Sequence, residues 1–139
     1  MAGNRTFTII KPNAVVQSHI GEICAMIEAA DFRIVAVKML HLSSSDIERF
    51  YHAHLDKPFF KSLHQFMTSG AVVVMVLERE NAVEELRRLV GATDPKLAAE
   101  GSIRRLFAQS TTQNAIHASD SDESALWERR FFFSLREEI

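Results

Sequence analysis

The stretch Ala71 to Leu77 (AVVVMVL) constrains this chain more than any other segment. It is far shorter than the ~20 residues an α-helix needs to cross a bilayer, so its apolar side chains must be covered by the rest of the protein. It reads as a buried strand, and the remaining elements have to pack around it.

The segments on either side alternate between two periodicities. Thr6 to Ile10 (TFTII) reads as a short β-branched strand stopped at Lys11-Pro12, because proline removes a ladder donor and restricts the residue before it. Lys11 therefore sits at a strand end. Ile20, Ile23, Cys24 and Ile27 fall on the stripe of an amphipathic helix running from about His19 to Ala30. Ile34 to Leu40 reads as a second strand, and Ser43 to Ser45 form a capping cluster before a helix from Asp46 to His54. Pro58 opens a helix to Met67, and Asn81 caps one that reaches Val90. Asn114 to His117 makes a last short strand. Asp120 with Glu123 resembles a capping box opening a helix through Trp127. Such alternation implies an α/β or α+β sandwich and leaves the strand order open. No linker, repeat or low-complexity stretch interrupts residues 1–139, which are read as a single domain.

Charge and cysteine usage exclude several functions. With 16 basic and 18 acidic residues, the chain lacks the electrostatic footprint of a dedicated nucleic-acid binder, so any anion site must be local. The lone Cys24 can form neither an internal disulfide nor a thiolate metal cluster, and no basic-then-apolar leader follows Met1. A soluble protein of the cytoplasm, with no membrane partner, is expected. The five glycines include no G-x-G-x-x-G and no G-x-x-x-x-G-K, so phosphate, if handled, must be held by side chains and helix ends.

Helical geometry separates arginines that composition treats alike. On the helix ending at Val90, Arg87 falls within the stripe of Val83, Leu86 and Val90, whereas Arg88 points away. A guanidinium on an apolar face is costly unless an anion meets it. Arg104 flanks the stripe of Ile103, Leu106 and Phe107, while Arg105 faces away from it. His117 stands between a strand end and a helix start, where free amides and the helix dipole favour a phosphate. A lone histidine is nevertheless more often structural, and Asp120, Asp122 and Glu123 crowd the same turn. His52 and His54 are too close in sequence to share a helix face, which argues against a zinc site.

The motifs RTFTIIKPNAV, PFF at Pro58 to Phe60, Ser69-Gly70, GATDP at Gly91 to Pro95, GSIR at Gly101 to Arg104 and NAIHASDS occur in an ordered series. In that order and spacing they resemble nucleoside diphosphate kinases from Arg5 to about Phe133. The resemblance implies an α+β, ferredoxin-like βαββαβ fold, a four-stranded antiparallel sheet covered by helices. It implies ping-pong transfer of the γ-phosphate from a nucleoside triphosphate, such as ATP, to a nucleoside diphosphate. His117 would be the nucleophile that becomes a phosphohistidine. Lys11, Arg87 and Arg104 match the family's phosphate contacts. Thr93 would bond a phosphate oxygen, Asn114 the sugar hydroxyl, and Phe59 would stack on the base, with Phe60 left to core packing. Tyr51, Ser119 and Glu128 match the residues that surround and orient the histidine. Mg2+ would arrive on the nucleotide phosphates with no protein ligand cage. A homo-oligomer, tetramer or hexamer built from dimers, is implied.

Ala118 stands where the family commonly has glycine, and a glycine needed there for positive φ would make the alanine disturb the site. Asn13 replaces a common aspartate, Ala71 a common proline, and Arg105-Leu106 a small residue followed by aspartate, which could loosen Arg104. These departures are what a non-catalytic nucleotide-binding or nucleic-acid-binding relative would carry, and that is the alternative reading.

Overall fold

The computed structural model describes residues 3–139. Four strands, β1 (Arg5–Ile10), β2 (Arg33–His41), β3 (Ala71–Glu78) and β4 (Ile116–Ala118), form one sheet in the order β2-β3-β1-β4. All three pairings are antiparallel. The helices are α1 (Pro12–Val16), α2 (Ile20–Ala29), α3 (Ser44–Phe50), α4 (Phe60–Met67), α5 (Ala82–Val90), α6 (Ile103–Phe107) and α7 (Asp122–Phe132). This is the ferredoxin-like arrangement expected, and β1, flanked by β3 and β4, lies inside the sheet.

The apolar run is buried on both faces, and its alternation divides the core in two. Val73, Met75 and Leu77 face one cluster, with Ile23 and Ile27 of α2 and Leu86 and Val90 of α5. Val72, Val74 and Val76 face the other, with Ile47 and Phe50 of α3, Met67 of α4, and Phe7 and Ile9 of β1. The period-2 geometry of a strand makes this division unavoidable once both faces are covered.

Several element boundaries differ from those expected, each for a local reason. The helix expected from Asp46 to His54 ends at Phe50 and tightens into a 3-10 turn at His52–His54. Its start is a full capping box: the Asp46 N–H donates to Ser43 Oγ at 3.1 Å, and the Ser43 N–H to Asp46 Oδ2 at 2.8 Å. The last strand lies later than Asn114, because Ala115 at φ 74 turns the chain just before it. The final helix is capped by Ser121, which accepts the Ser124 N–H at 3.0 Å, and not by Asp120; it runs past Trp127 to Phe132. Asn81 precedes α5 in a left-handed conformation, φ 54, but its side chain donates to Glu84 Oε2 rather than capping a backbone amide. Pro12, read as a strand stop, also starts α1, since its fixed φ suits a first helical position.

Candidate active site

Strand β4 is short, but every carbonyl beside His117 is occupied. The Lys11 N–H donates to Ala115 O at 2.8 Å, Arg104 Nη2 to Ile116 O at 2.8 Å, and Arg87 Nη1 to Ala118 O at 3.5 Å. Two guanidinium groups and the main-chain amide of Lys11, from separate parts of the chain, thus attach to the backbone around one histidine. The Thr8 hydroxyl adds a fourth tie, donating to His117 O at 2.6 Å. Before the histidine, Ile116 N–H donates to Asn114 O at 2.9 Å across Ala115, a γ-turn whose centre lies in the left-handed region. An alanine held at positive φ stores strain of about 1–3 kcal/mol that the surrounding ties must maintain.

The imidazole sits among Phe7, Phe50 and Tyr51, with ring centroids at 6.2, 5.5 and 6.4 Å, all edge-on. Its Nε2 lies 2.8 Å from Glu128 Oε1. A carboxylate can only accept, so Nε2 carries the proton and Nδ1 keeps its lone pair. Ser119 Oγ donates to the same Glu128 oxygen at 2.7 Å. Tyr51 is close enough to Glu128 for its charge to matter: burial first, and then that carboxylate, push the phenol above its ordinary range. The phenol oxygen is buried without a hydrogen-bond partner.

Lys11 and Arg104 feel a neighbouring like charge, and of the three cations Arg87 is the one whose charge reaches a carboxylate, that of Asp120. Lys11 is 6% exposed, and burial, followed by the charge of Arg104, lowers its ammonium to about 7. Burial and then Arg87 lower Arg104 to about 10. Among the described residues none of Lys11, Arg87 and Arg104 forms an ion pair with a carboxylate. Arg104 donates instead to Gly91 O at 3.0 Å and Ile116 O, and its Nε is buried without a partner. Like charges assembled this way are unfavourable in the free protein and suit a site that receives a polyanion.

The two arginine comparisons come out differently. Arg105 donates only to Lys96 O at 3.3 Å on the outside, so the distinction from Arg104 holds. Arg88 pairs with Glu85 at 2.8 Å and Glu84 at 3.5 Å along its own helix. Arg87, however, is exposed and does not lie in the buried stripe, which is formed by Ala82, Leu86 and Val90. It reaches β4 from the edge of that stripe. The loss of an aspartate at Leu106 leaves Arg104 firmly held, because its acceptors are backbone carbonyls.

Asn114 is 5% exposed; its Nδ2 donates to Thr111 O at 3.0 Å and its Oδ1 is left without a donor. Phe59 is 50% exposed and faces His54 at 5.6 Å, whereas Phe60 packs on the second core cluster. Thr93 is exposed on the loop after Gly91, and no hydrogen bond joins it to the other predicted residues. Ala118 pairs with Thr8 in the strand and is not among the positive-φ residues, so the expected backbone conflict there is absent. Thr8, Phe7, Phe50 and Ala115 carried no signal in the sequence: their roles come from strand register and from packing against the histidine.

An antiparallel ferredoxin-like sheet that presents a carboxylate-paired histidine beside three clustered cations has the donor set of a phosphotransferase site. The family model described as nucleoside diphosphate kinase matches residues 4–138. The chain is 49% identical to the nucleoside diphosphate kinase of Flavobacterium psychrophilum over the whole of both chains. It is 54% identical to that of Chlamydia trachomatis, covering 96% of this chain and 94% of that one. Among solved structures, the Aquifex aeolicus nucleoside diphosphate kinase superposes with a TM-score of 0.95 at 41% identity, over 98% of this chain and 99% of that one. The halophilic nucleoside diphosphate kinase of Halobacterium salinarum in complex with CDP superposes with a TM-score of 0.94 at 35% identity, over 99% and 92%. The chain belongs to the nucleoside diphosphate kinase family.

Proposed function

We propose that His117 carries the phosphoryl group between a nucleoside triphosphate and a nucleoside diphosphate. The observation that carries this reading is the contact between His117 Nε2 and Glu128, which leaves Nδ1 as the nucleophile. In the first half-reaction the Nδ1 lone pair forms a bond to the γ-phosphorus, and the bond from that phosphorus to the bridging oxygen breaks, releasing the diphosphate. Nε2 keeps its proton, and the positive charge gained by the phosphorylated ring faces Glu128. The second half-reaction is the reverse, onto another diphosphate. Lys11, Arg87 and Arg104 stabilise charge on the transferring group, and their lack of carboxylate partners supports that role. Thr93 supplies a hydroxyl to a phosphate oxygen, Asn114 Oδ1 accepts from the sugar, and the half-exposed Phe59 stacks on the base. Tyr51 and Ser119 hold the histidine and its carboxylate.

A magnesium ion would enter with the nucleotide, because among the described residues no group of three or more His, Cys, Asp or Glu side chains could hold one. The chemistry it would supply is neutralisation of phosphate charge, beside the cationic side chains of Lys11, Arg87 and Arg104. We further read residues 1–139 as one domain of a cytoplasmic homo-oligomer, a tetramer or hexamer of dimers. The core clusters on both faces of a single sheet support the first point. No helix among the described residues is long and apolar enough to cross a membrane. A non-catalytic relative is not favoured, because the histidine, its carboxylate and the cations are all present together.

The test is incubation with magnesium and γ-labelled ATP without acceptor. A phosphoramidate on His117 gives label that is labile to acid, stable to base, transferable to added diphosphate and absent from His117→Ala. ATP binding without retained label would overturn the reading.

A further inference from the structure

The segment after α7 ties the helix that carries Glu128 to the start of the sheet. Residues 134–139 fold back along β2: the Ile139 N–H donates to Val35 O at 3.1 Å, and Lys38 Nζ lies 2.7 Å from Glu137 Oε2. Within this segment the Glu138 side chain is only 3% exposed. Arg129 donates to its Oε1 through Nη2 at 2.7 Å and Nε at 3.1 Å, Arg5 Nη1 to the same oxygen at 3.1 Å, and Arg130 Nη1 to Oε2 at 2.7 Å. Arg5 also holds Glu78 at 2.8 Å, and Glu78 in turn holds Arg33 at 2.8 Å. One carboxylate therefore joins α7 to β1 and, through Glu78, to the adjoining ends of β3 and β2.

Apolar packing alone would seat this helix. Phe132 stacks on Phe7 at 5.4 Å, and Phe131 and Phe132 both meet Phe50. Such contacts are weakly directional. The fork of Arg129 fixes direction as well as distance, because a guanidinium presents its donors in a rigid plane. Arg129 is also the residue next to Glu128, so a rotation or slide of α7 that breaks the fork carries Glu128 away from His117. A buried carboxylate among guanidinium groups is a costly way to hold a helix unless its register matters.

We infer that Glu138 is a positioning residue for phosphoryl transfer: by clamping Arg129 and Arg130 to Arg5 it sets the register of α7 and so holds Glu128 against His117 Nε2. The inference rests on the reading of His117 as the phosphate carrier. It is tested with Glu138→Gln and Glu128→Gln, singly and together, by measuring the single-turnover rate of labelling from γ-labelled ATP, the nucleotide KM and the thermal midpoint. The expected result is that Glu138→Gln slows labelling about tenfold with KM little changed, and adds no further slowing in the Glu128→Gln background. Should Glu138→Gln fail to fold, Arg129→Lys, which keeps the charge and loses the fork, carries the same expectation. Equal slowing in both backgrounds, or normal labelling by a folded variant, overturns the inference. His117→Ala separates the two claims: label retained there overturns the histidine reading itself, whereas label lost there together with normal labelling in Glu138→Gln overturns only the positioning role.

Discussion

His117 Nε2 lies 2.8 Å from Glu128 Oε1, and the same oxygen receives the Ser119 hydroxyl at 2.7 Å. In the proposed reaction the carboxylate fixes the tautomer and balances the charge that a phosphorylated ring would carry. Glu128→Gln preserves shape and an accepting oxygen but removes the charge. Rapid-quench labelling should slow by about 10- to 100-fold, the range seen when a carboxylate that orients a metal-bound histidine is lost. His117→Ala should give no label at all. Labelling by Glu128→Gln at the unmodified rate would show that the carboxylate has no part in the chemistry.

Neighbouring arginines on α6 should differ sharply. Arg104 is half-buried and donates to Gly91 O and Ile116 O, while the Arg105 side chain reaches only Lys96 O. Arg104→Ala should lower kcat/KM by roughly 10²–10³, the cost of one donor aimed at the transition state. Arg105→Ala should change it little. Comparable losses in the two variants would contradict the arrangement.

Lys11 gives a pH signature with a definite sign. Burial, helped by Arg104, lowers its ammonium to about 7 in the free protein, against ~10.4 for an exposed lysine. Between those values the unfolded chain holds a proton that the folded chain has released. Its contribution to stability is therefore least favourable below pH about 7 and improves as pH rises from there to ~10. A polyphosphate restores the ammonium, so nucleotide binding at about pH 8 should take up a proton. Calorimetry in buffers of different ionisation enthalpy measures that uptake, and Lys11→Met should abolish it.

Gly91 is a point where structure and site share one residue. At φ +90, a Cβ there would meet Ser102 Oγ at 2.6 Å and Ser102 Cβ at 2.8 Å. Ser102 caps α6, and the Gly91 carbonyl anchors Arg104. Gly91→Ala should cost ~2–4 kcal/mol in urea unfolding, combining left-handed strain with overpacking. Phosphoryl transfer should fall beyond what the residual folded fraction explains.

Ala118 occupies ordinary strand backbone opposite Thr8. Ala118→Gly should therefore alter the transfer rate by less than about threefold, since no positive φ awaits relief there. A large acceleration, read in the same labelling assay, would show that the methyl group crowds the incoming phosphate.

The sequence was most legible where periodicity or a motif acts locally. Ala71 to Leu77 announced a buried strand, Ile23 and Ile27 the inward side of α2, and the Ser43 cluster a helix start. Boundaries were lost where one residue outweighed the pattern: Ala115 delayed β4 by its γ-turn, and Ser121 captured the cap expected of Asp120. Arg87 does not lie in the apolar stripe where helical spacing put it; it is exposed at the rim, and unlike Arg88 it reaches β4.

Hydrophobic period by itself determined only the alternation of strands and helices; the kind of fold, the family and the candidate phosphate residues followed from the resemblance carried by an ordered series of motifs. Only the tertiary structure decided which nitrogen of His117 faces Glu128, that the Lys11 amide and the Arg87 and Arg104 side chains bond carbonyls within residues 115–118, and that Glu138 lies among Arg5, Arg129 and Arg130. Those relationships join residues far apart in the chain. They depend on antiparallel register and on the burial that leaves some charges paired and others without a counter-ion, and no local pattern encodes either.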